Sequence, residues 1–394
     1  MAIGEHAIVS SAYDTKTGIT ASTDKRDVSQ LLDLWAHKNT PLLNRISWGA
    51  ESGGLGIEWV SEHLGFGYIQ TSGALASDAT AITVTTSGMG LTTADAVKQV
   101  QAGTLLYTHV SGDAGGDCFF VVASVSTDLV VEISQLVATS EAVAANSKLY
   151  IVGHYVNEGS EPFPDISRKR SLLSNTFSIL RKDIKITGSM AATDMHAVAN
   201  EPNHQMALRL LEMQFERERT VLFSKGQART SVVASFMKGI YDFLDDYSGN
   251  DWVDASTTTL TESKFNALVA ECWDNAGNPD LFVANKAQIR KFTQWDSDRI
   301  RTVPDARLAG HWVTRYLTDV GIEVELLPLR KSPVNLGFIL DTSLIKLRAK
   351  KGRKLFVDKL AKVGDYDRWQ LISEYTLEMR KAEMGAHGMF TELT

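Results

Sequence analysis

Four side chains near position 200 have the types that bind zinc. Asp194, His196, Glu201 and His204 are close in the chain, and imidazole with carboxylate is a common zinc donor set. They form no His-x-x-x-His pair, no cysteine pair joins them, and a helix start already accounts for an acidic residue there, so the metal reading is the weaker one. Gly112–Asp117 (Gly-Asp-Ala-Gly-Gly-Asp) has glycines enough to cradle a cation or a phosphate, but neither the lysine of a P-loop nor the periodic ligands of an EF-hand. A hairpin turn suits it better. Asp245 and Asp246 are adjacent carboxylates of the kind used in acid–base chemistry, yet they follow a predicted helix and precede Ser-Gly-Asn-Asp, a solvated-loop signature. Nine histidines and two cysteines, Cys118 and Cys272, stand in no nucleophile context, and no Gly-x-Ser-x-Gly elbow occurs. The sequence therefore predicts no enzyme, no catalytic residue, no cofactor and no metal.

Two basic groups have a different potential chemistry. Arg348, Lys350, Lys351, Arg353 and Lys354 form the densest one. Such a cluster can contact packaged DNA or an acidic patch on a neighbour; a solvated turn with Gly352 at its tip is the plainer and preferred reading. Arg168, Lys169, Arg170, Arg181 and Lys182 lie on a predicted strand of an extended arm. A two-stranded ribbon is marginal alone in water, so such an arm needs another surface, and acidic residues of a neighbour's helix, Glu212, Glu216 or Glu218, would match it in charge.

The elements that carry these groups have an unusual order. Ile46–Leu64 reads as one strand region and Ser167–Thr187 as its return. Between them, Phe66–Asn157 changes composition: Gly, Ala, Ser, Thr and Val dominate, and only nine residues are charged. Strand signals at Ala81–Thr86, Thr104–Val110, Cys118–Val125, Leu129–Ile133 and Leu149–His154 predict a small barrel or sandwich of about five strands, inserted into the tip of the arm. Glu158–Asp165 reads as its exit linker. Met1–Asp27 has no usable period, and Val28–His37 reads as a short amphipathic helix. Ala199–Ala228 has helical spacing over a length expected to reach about 40 Å. Ser231–Leu244, Thr261–Asn275 and Lys286–Trp295 read as further helices; Leu281–Ala284, Glu323–Leu329 and Phe338–Leu347 read as strands. Asp367–Ala382 alternates with period two, which predicts a long half-buried strand.

A chain of 394 residues, 44% hydrophobic and 22% charged, has ample core for two or three domains. A net charge of −7 argues against tight nucleic-acid binding. No apolar run approaches a membrane span, and Met1–Tyr13 lacks the pattern of a signal peptide, so a cytosolic origin is expected.

In this order of parts the chain resembles the major capsid proteins of tailed bacteriophages with the HK97 fold, and more narrowly the head proteins related to that of phage SU10. The residues that carry the resemblance are Pro162–Asp165 through Thr176–Leu180, the Gly188–Thr193 approach to the long helix, Asp280–Asn285 and Leu371–Glu378. The resemblance implies an α+β fold with an N-terminal arm at 1–45, an extended loop at 46–65 and 158–190, an inserted β domain at 66–157, a spine helix at 191–229, an axial domain at 230–333 and a peripheral sheet at 334–394. It implies a structural protein that self-assembles as hexamers and pentamers into an icosahedral shell around double-stranded DNA. Portal, scaffold and decoration proteins would be its partners, with no membrane. It would be located in the virion capsid, and in the host cytoplasm during assembly. A cellular nanocompartment shell of the same fold is the alternative, and a carbohydrate-active enzyme with a β binding module a more distant one. The enzyme reading needs aromatic platforms, and the inserted module has no tryptophan.

Overall fold

The fold is given by a computed structural model that describes residues 40–62, 67–76, 78–85, 98–110, 116–126, 130–135, 142–159, 170–193, 200–248, 250, 252–255, 257–295, 300–304 and 312–394. The expected helix Val28–His37, most of the N-terminal arm and most of the linker before residue 170 lie outside these residues. The chain forms two compact units. The larger comprises Thr40–Leu180, Gln214–Phe356 and Ile372–Thr394; the smaller, within the described residues, comprises Arg181–Met213 and Val357–Leu371.

In the larger unit a seven-stranded sheet has the order Val253–Asp254, Gly388–Phe390, Gly337–Leu340, Leu281–Asn285, Glu323–Leu329, Trp312–Leu317, Ile300–Pro304. Its central strand, Leu281–Asn285, is buried at every position and runs parallel to one neighbour and antiparallel to the other. A strand covered on both faces has no use for polar alternation, hence the apolar run Leu-Phe-Val-Ala. Helix Glu262–Asp274 begins at Thr261, whose hydroxyl accepts from Lys264 N, and it presents Phe265, Leu268, Val269 and Cys272 inward. Phe265 meets Phe282, Phe292 and Tyr316 edge-on at ring separations of 5.1, 4.8 and 5.6 Å.

The expected strand Phe338–Leu347 is interrupted. Asp341 Oδ1 accepts from Ser343 N and starts a short 3-10 turn at Thr342–Leu344. Gly337–Leu340 thus joins the seven-stranded sheet, while Ile345–Ala349 pairs with Ser47–Trp48 and with the strand Tyr366–Met379. The strand is present, but its burial does not alternate: the residues before Leu371 are intermediate with Arg368 exposed, and from Leu371 both faces are buried apart from a half-buried Glu374, because tertiary neighbours cover the polar face as well. The expected helix Ser231–Leu244 is reduced to Ile240–Asp245, since Gln227 and Phe236 pair as a β-bridge and hold the preceding segment as a hairpin.

The predicted arm is present as a ribbon. Gly56–Ser61 pairs antiparallel with Ser171–Thr176, from Gly56 opposite Thr176 to Ser61 opposite Ser171. The expected return strand Ser167–Thr187 is therefore two strands, divided at Phe177: the first closes the ribbon and the second, Ser178–Thr187, belongs to another sheet. Nor does the ribbon stand free. Ile57 and Trp59 are buried, the Trp59 ring lies 6.0 Å from Phe243, and Asn175 is locked by Nδ2 bonds to the carbonyls of Lys238 and Leu377.

Between the two ribbon strands the chain closes a barrel of six antiparallel strands, one more than expected. Their order is Tyr68–Thr71, Ala81–Thr85, Val130–Gln135, Asp117–Val125, Thr104–His109, Lys148–His154 and back to the first. Alternate residues point inward, so Ile69, Ile82, Val84, Leu106, Cys118, Phe120, Val122, Val131 and Leu149 form a core separate from the main one. Closure leaves no sheet edge open to another chain.

Strands Ser178–Thr187 and Tyr366–Met379 are hydrogen-bonded neighbours, and Phe356–Leu360 pairs with the latter; of these the smaller unit holds the residues 181–187, 366–371 and 357–360. The long helix runs from Glu201 to Phe223, about 35 Å at the usual rise and shorter than expected.

Candidate functional site

The basic cluster at 348–354 is largely engaged within the chain. Arg348 meets the buried Glu378 at 2.8 Å, and Arg353 meets Glu374 at 2.6 Å. Lys350 donates from Nζ to the carbonyl of Gly54 and lies over the Phe177 ring. The turn itself is held by backbone bonds between Lys351 N and Ser52 O and between Arg353 N and Lys350 O, with Gly352 at φ +68°. A turn with Gly352 in the left-handed region is the plainer reading anticipated for these residues. Lys351 and Lys354 remain exposed at its tip.

Behind the turn is an arrangement that charge counting missed. Lys354 Nζ lies 4.2 Å from the Trp48 ring centroid. Arg217, from the long helix, lies 5.5 Å from the same ring and 5.2 Å from the Tyr375 ring. Its Nη2 donates to Ser373 Oγ at 2.7 Å, and Ser373 in turn donates to the carbonyl of Lys354 at 2.7 Å. Burial lowers the Arg217 pKa, and the aromatic faces stand in for a carboxylate. Trp48, Arg217 and Tyr375 are far apart in sequence, and each alone has an ordinary context; only a sheet that brings 48 and 375 beside one helix shows the stack.

The arm residues divide. Arg168 and Lys169 lie outside the described residues. Arg170 pairs with Glu62 at 3.1 Å, both exposed, across the open end of the ribbon. In the smaller unit Arg181 meets Asp183 at 3.3 Å, and Arg368 meets the same carboxylate at 3.4 Å. Lys182 reaches Glu212 at 3.9 Å, while Arg209 holds Glu212 at 2.6 Å. Glu212 is thus already shared by two cations of its own chain. Glu218 is turned inward: its Oε1 accepts from Leu42 N at 2.9 Å, and burial pushes its carboxyl up from the usual range. It is a cap for the segment Pro41–Arg45 rather than a surface acid, which corrects its expected availability to a neighbour. The Glu216 carbonyl accepts from Thr220 Oγ1.

Of the residues considered for chemistry, Asp194 and His196 lie outside the described set. His204 and Glu201 start the long helix, where Glu201 accepts from Gln205. No metal-holding cluster of histidine, cysteine and carboxylate occurs among the described residues. Residues 112–115 of the expected Gly112–Asp117 turn lie outside the described residues; Asp117, paired opposite His109, accepts from Tyr107 Oη at 2.9 Å and His109 Nδ1 at 3.0 Å, which lowers its pKa, the His109 bond first. Asp245 ends a helix and Asp246 pairs with Lys238. A cavity of about 450 Å³ lies between the long helix and the hairpin after it, lined by Leu180, Arg219, Phe223, Arg229 and Phe236.

The family model described as SU10 major capsid protein matches residues 12–394. Among solved structures, the chain is similar to the cyanophage A-1(L) capsid asymmetric unit, with a TM-score of 0.51 and 11% identity over 95% of this chain and 100% of that one. It is similar to a structure from Microbacterium phage Oxtober96, with a TM-score of 0.48 and 8% identity over 97% and 99% of the two chains. It is also similar to the holo-SrpI encapsulin complex from Synechococcus elongatus PCC 7942, with a TM-score of 0.42 and 12% identity over 57% and 76%. No curated protein matches the sequence. At these identities the structural likeness concerns the fold alone, a mixed helix and strand fold shared with a phage capsid protein.

Proposed function

The chain belongs to the SU10 major capsid protein family, and from that membership, which spans residues 12–394, we propose that many copies close into an icosahedral head around double-stranded DNA. The role is structural, and its mechanism is geometry. Subunits join as hexamers and pentamers in an HK97-like arrangement, with 230–333 as the axial domain, whose sheet also takes Gly337–Leu340 and Gly388–Phe390, 191–229 as the spine-helix segment and the rest of 334–394 as the peripheral sheet. The segment 1–45 is the arm, and the extended loop at 46–65 and 158–190, to which the ribbon Gly56–Ser61 with Ser171–Thr176 belongs, reaches a neighbouring subunit. The observation that supports this use of the ribbon is its outward face: Val60 and Leu172 lie opposite each other, 61% and 62% exposed. An apolar pair on the solvent side of a ribbon whose other side is already packed calls for a partner. Contacts repeated around closed symmetry then add to a stable shell although each is weak.

Exposed Lys351 and Lys354 are the charges at the 348–354 turn that suit a weak, non-specific contact with packaged DNA or a neighbour. Portal, scaffold and decoration proteins complete the partner set, and assembly takes place in the host cytoplasm.

Negative-stain electron microscopy with sedimentation of the purified protein tests the reading. Closed shells, rings or tubes are the expected result; a uniform monomer at high concentration, persisting with a co-expressed scaffold, overturns it. Arg168→Glu with Arg181→Glu is expected to leave a folded subunit that does not assemble, and normal shells from that variant would remove the arm cations from the interface.

A further inference from the structure

The outer wall of the barrel is polar and small-residue on one side and apolar on another. On Ala81–Thr85 and Val130–Gln135 the exposed outward residues are Ala81, Thr83, Glu132 and Ser134. On the four neighbouring strands on the other side, the registers place four aromatic rings in one row: Tyr68 opposite Tyr150, Tyr150 opposite Tyr107, Tyr107 opposite Phe119. Tyr68 and Tyr150 meet edge-on at 6.1 Å, and Tyr107 and Phe119 are tilted at 5.1 Å. Among the described residues, the large apolar side chains that the barrel leaves exposed lie on or just after the strand Lys148–His154: Tyr150, Val152, Tyr155 and Val156, all at least half exposed.

Two residues along from the aromatic row runs a polar one. Gln70 is opposite Lys148, and His109 is opposite Asp117. Lys148 lies over the Tyr68 ring at 4.8 Å, and Asp117 is held by His109 and Tyr107. The polar row thus has its cation toward one side of the wall and its carboxylate at the other.

We propose that this wall is an isologous contact between the barrels of two copies of the chain within the shell. A two-fold axis parallel to the strands, placed between the middle strands of two such walls, lays Tyr150 on Tyr107 of the second copy, with Tyr68 and Phe119 flanking the contact where the walls curve away. The same operation sets Lys148 beside the His109–Asp117 pair of the second copy. The apolar middle of the wall is therefore matched to itself, and Lys148, which has Glu271 and Asp274 of its own chain nearby, adds a second-copy partner to them. Tyrosine at the centre with a polar rim is the usual composition of such a contact. A sugar platform is the other use for exposed tyrosines, but it wants rings lying flat side by side; here the rings are tilted or edge-on. Two convex walls touch along little more than their middle strands, so the contact is weak alone and matters through its repetition. It rests on the shell reading above.

The test is cross-linking in full-length particles. Cys118 and Cys272 are buried, so a surface cysteine is read cleanly. Tyr150→Cys with a short bis-maleimide is expected to give covalent dimers in particles and none in unassembled protein, while Glu132→Cys, on the polar side, gives none in either. Lys148→Glu added to Tyr150→Cys is expected to lose the dimer, and Asp117→Lys added to both to restore it. Image reconstruction of wild-type particles decides independently of whether any variant assembles: barrels joined through this wall support the contact, and barrels standing apart overturn it. Separated barrels whose particles bind a neutral polysaccharide, with that binding lost in Tyr150→Ser, assign the wall to a glycan instead. Failure of the wild-type protein to form particles under any condition overturns the shell reading and this contact with it.

Discussion

The two hydrophobic cores of this protein are built on opposite plans. The main core draws on residues from Leu42 to Leu393 and is centred on rings, with Phe265, Phe282, Phe292 and Tyr316 all fully buried and in mutual edge or tilted contact. The barrel core is closed within residues 69–149 and is almost wholly aliphatic, with Phe120 as its one buried ring among the described residues. The main core must bring together elements of long sequence separation, and large rings give much buried area per residue for that loop-closure cost. The barrel pairs mostly nearby strands, and small β-branched side chains fill a narrow cylinder. A module built this way can interrupt a loop without disturbing the body that carries it.

Breaking the main core has the largest expected effect. Phe265→Ala removes a ring at the centre of the aromatic cluster and should cost about 4 kcal/mol, read as a lower urea midpoint for tryptophan fluorescence. That probe reports on the body alone, because residues 66–157 contain no tryptophan.

Acid is the next lever, and it also acts on the body. His387 is fully buried, with Nδ1 accepting from Asp341 N and Nε2 bonded to the Arg380 carbonyl, and burial brings its pKa down to about 4. The unfolded chain takes up a proton near pH 6.5 and the folded chain only near pH 4. The stability is therefore complete above pH 6.5 and is lost as pH falls through that window, on the order of 3 kcal/mol. His387→Gln should flatten the fall in urea midpoint between pH 7 and pH 4; an unchanged slope would remove His387 as its cause.

Leu106→Ala tests the barrel alone. It is fully buried there, and its loss should cost about 3 kcal/mol. Hydrogen exchange should accelerate across barrel peptides while the tryptophan transition stays in place. A shift of that transition would mean that the two cores melt together. The smallest effect sharpens the contrast further: Ile82→Val, one buried methylene, should cost about 1 kcal/mol and again be visible only in barrel exchange.

Where the signal was local, the sequence was legible. Composition alone marked the interruption, and the flanking strands do pair across it, Gly56–Ser61 with Ser171–Thr176. Period two located the strand that ends at Met379, and helical spacing located Glu201–Phe223 within a few residues. The missed barrel strand, Tyr68–Thr71, is only four residues long, too short for alternation to register. Among the site residues, the turn at Gly352 was readable from its glycine, but the partners of Arg348 and Arg353 were not, since Glu378 and Glu374 belong to another strand.

Periodicity and composition, being properties of neighbours in the chain, determined which segments are strands or helices, that a β module is inserted, and where positive charge is concentrated. Pairing is a property of residues far apart, and no local preference specifies it. The tertiary structure alone therefore decided that Gly337–Leu340 and Ile345–Ala349 go to different sheets, that Glu218 faces inward, and that Arg217 rests between Trp48 and Tyr375. It also decided that tyrosines at 68, 107 and 150 share one row with Phe119, because that row depends on the register of four strands, and a slip of one residue in any of them would turn its ring inward.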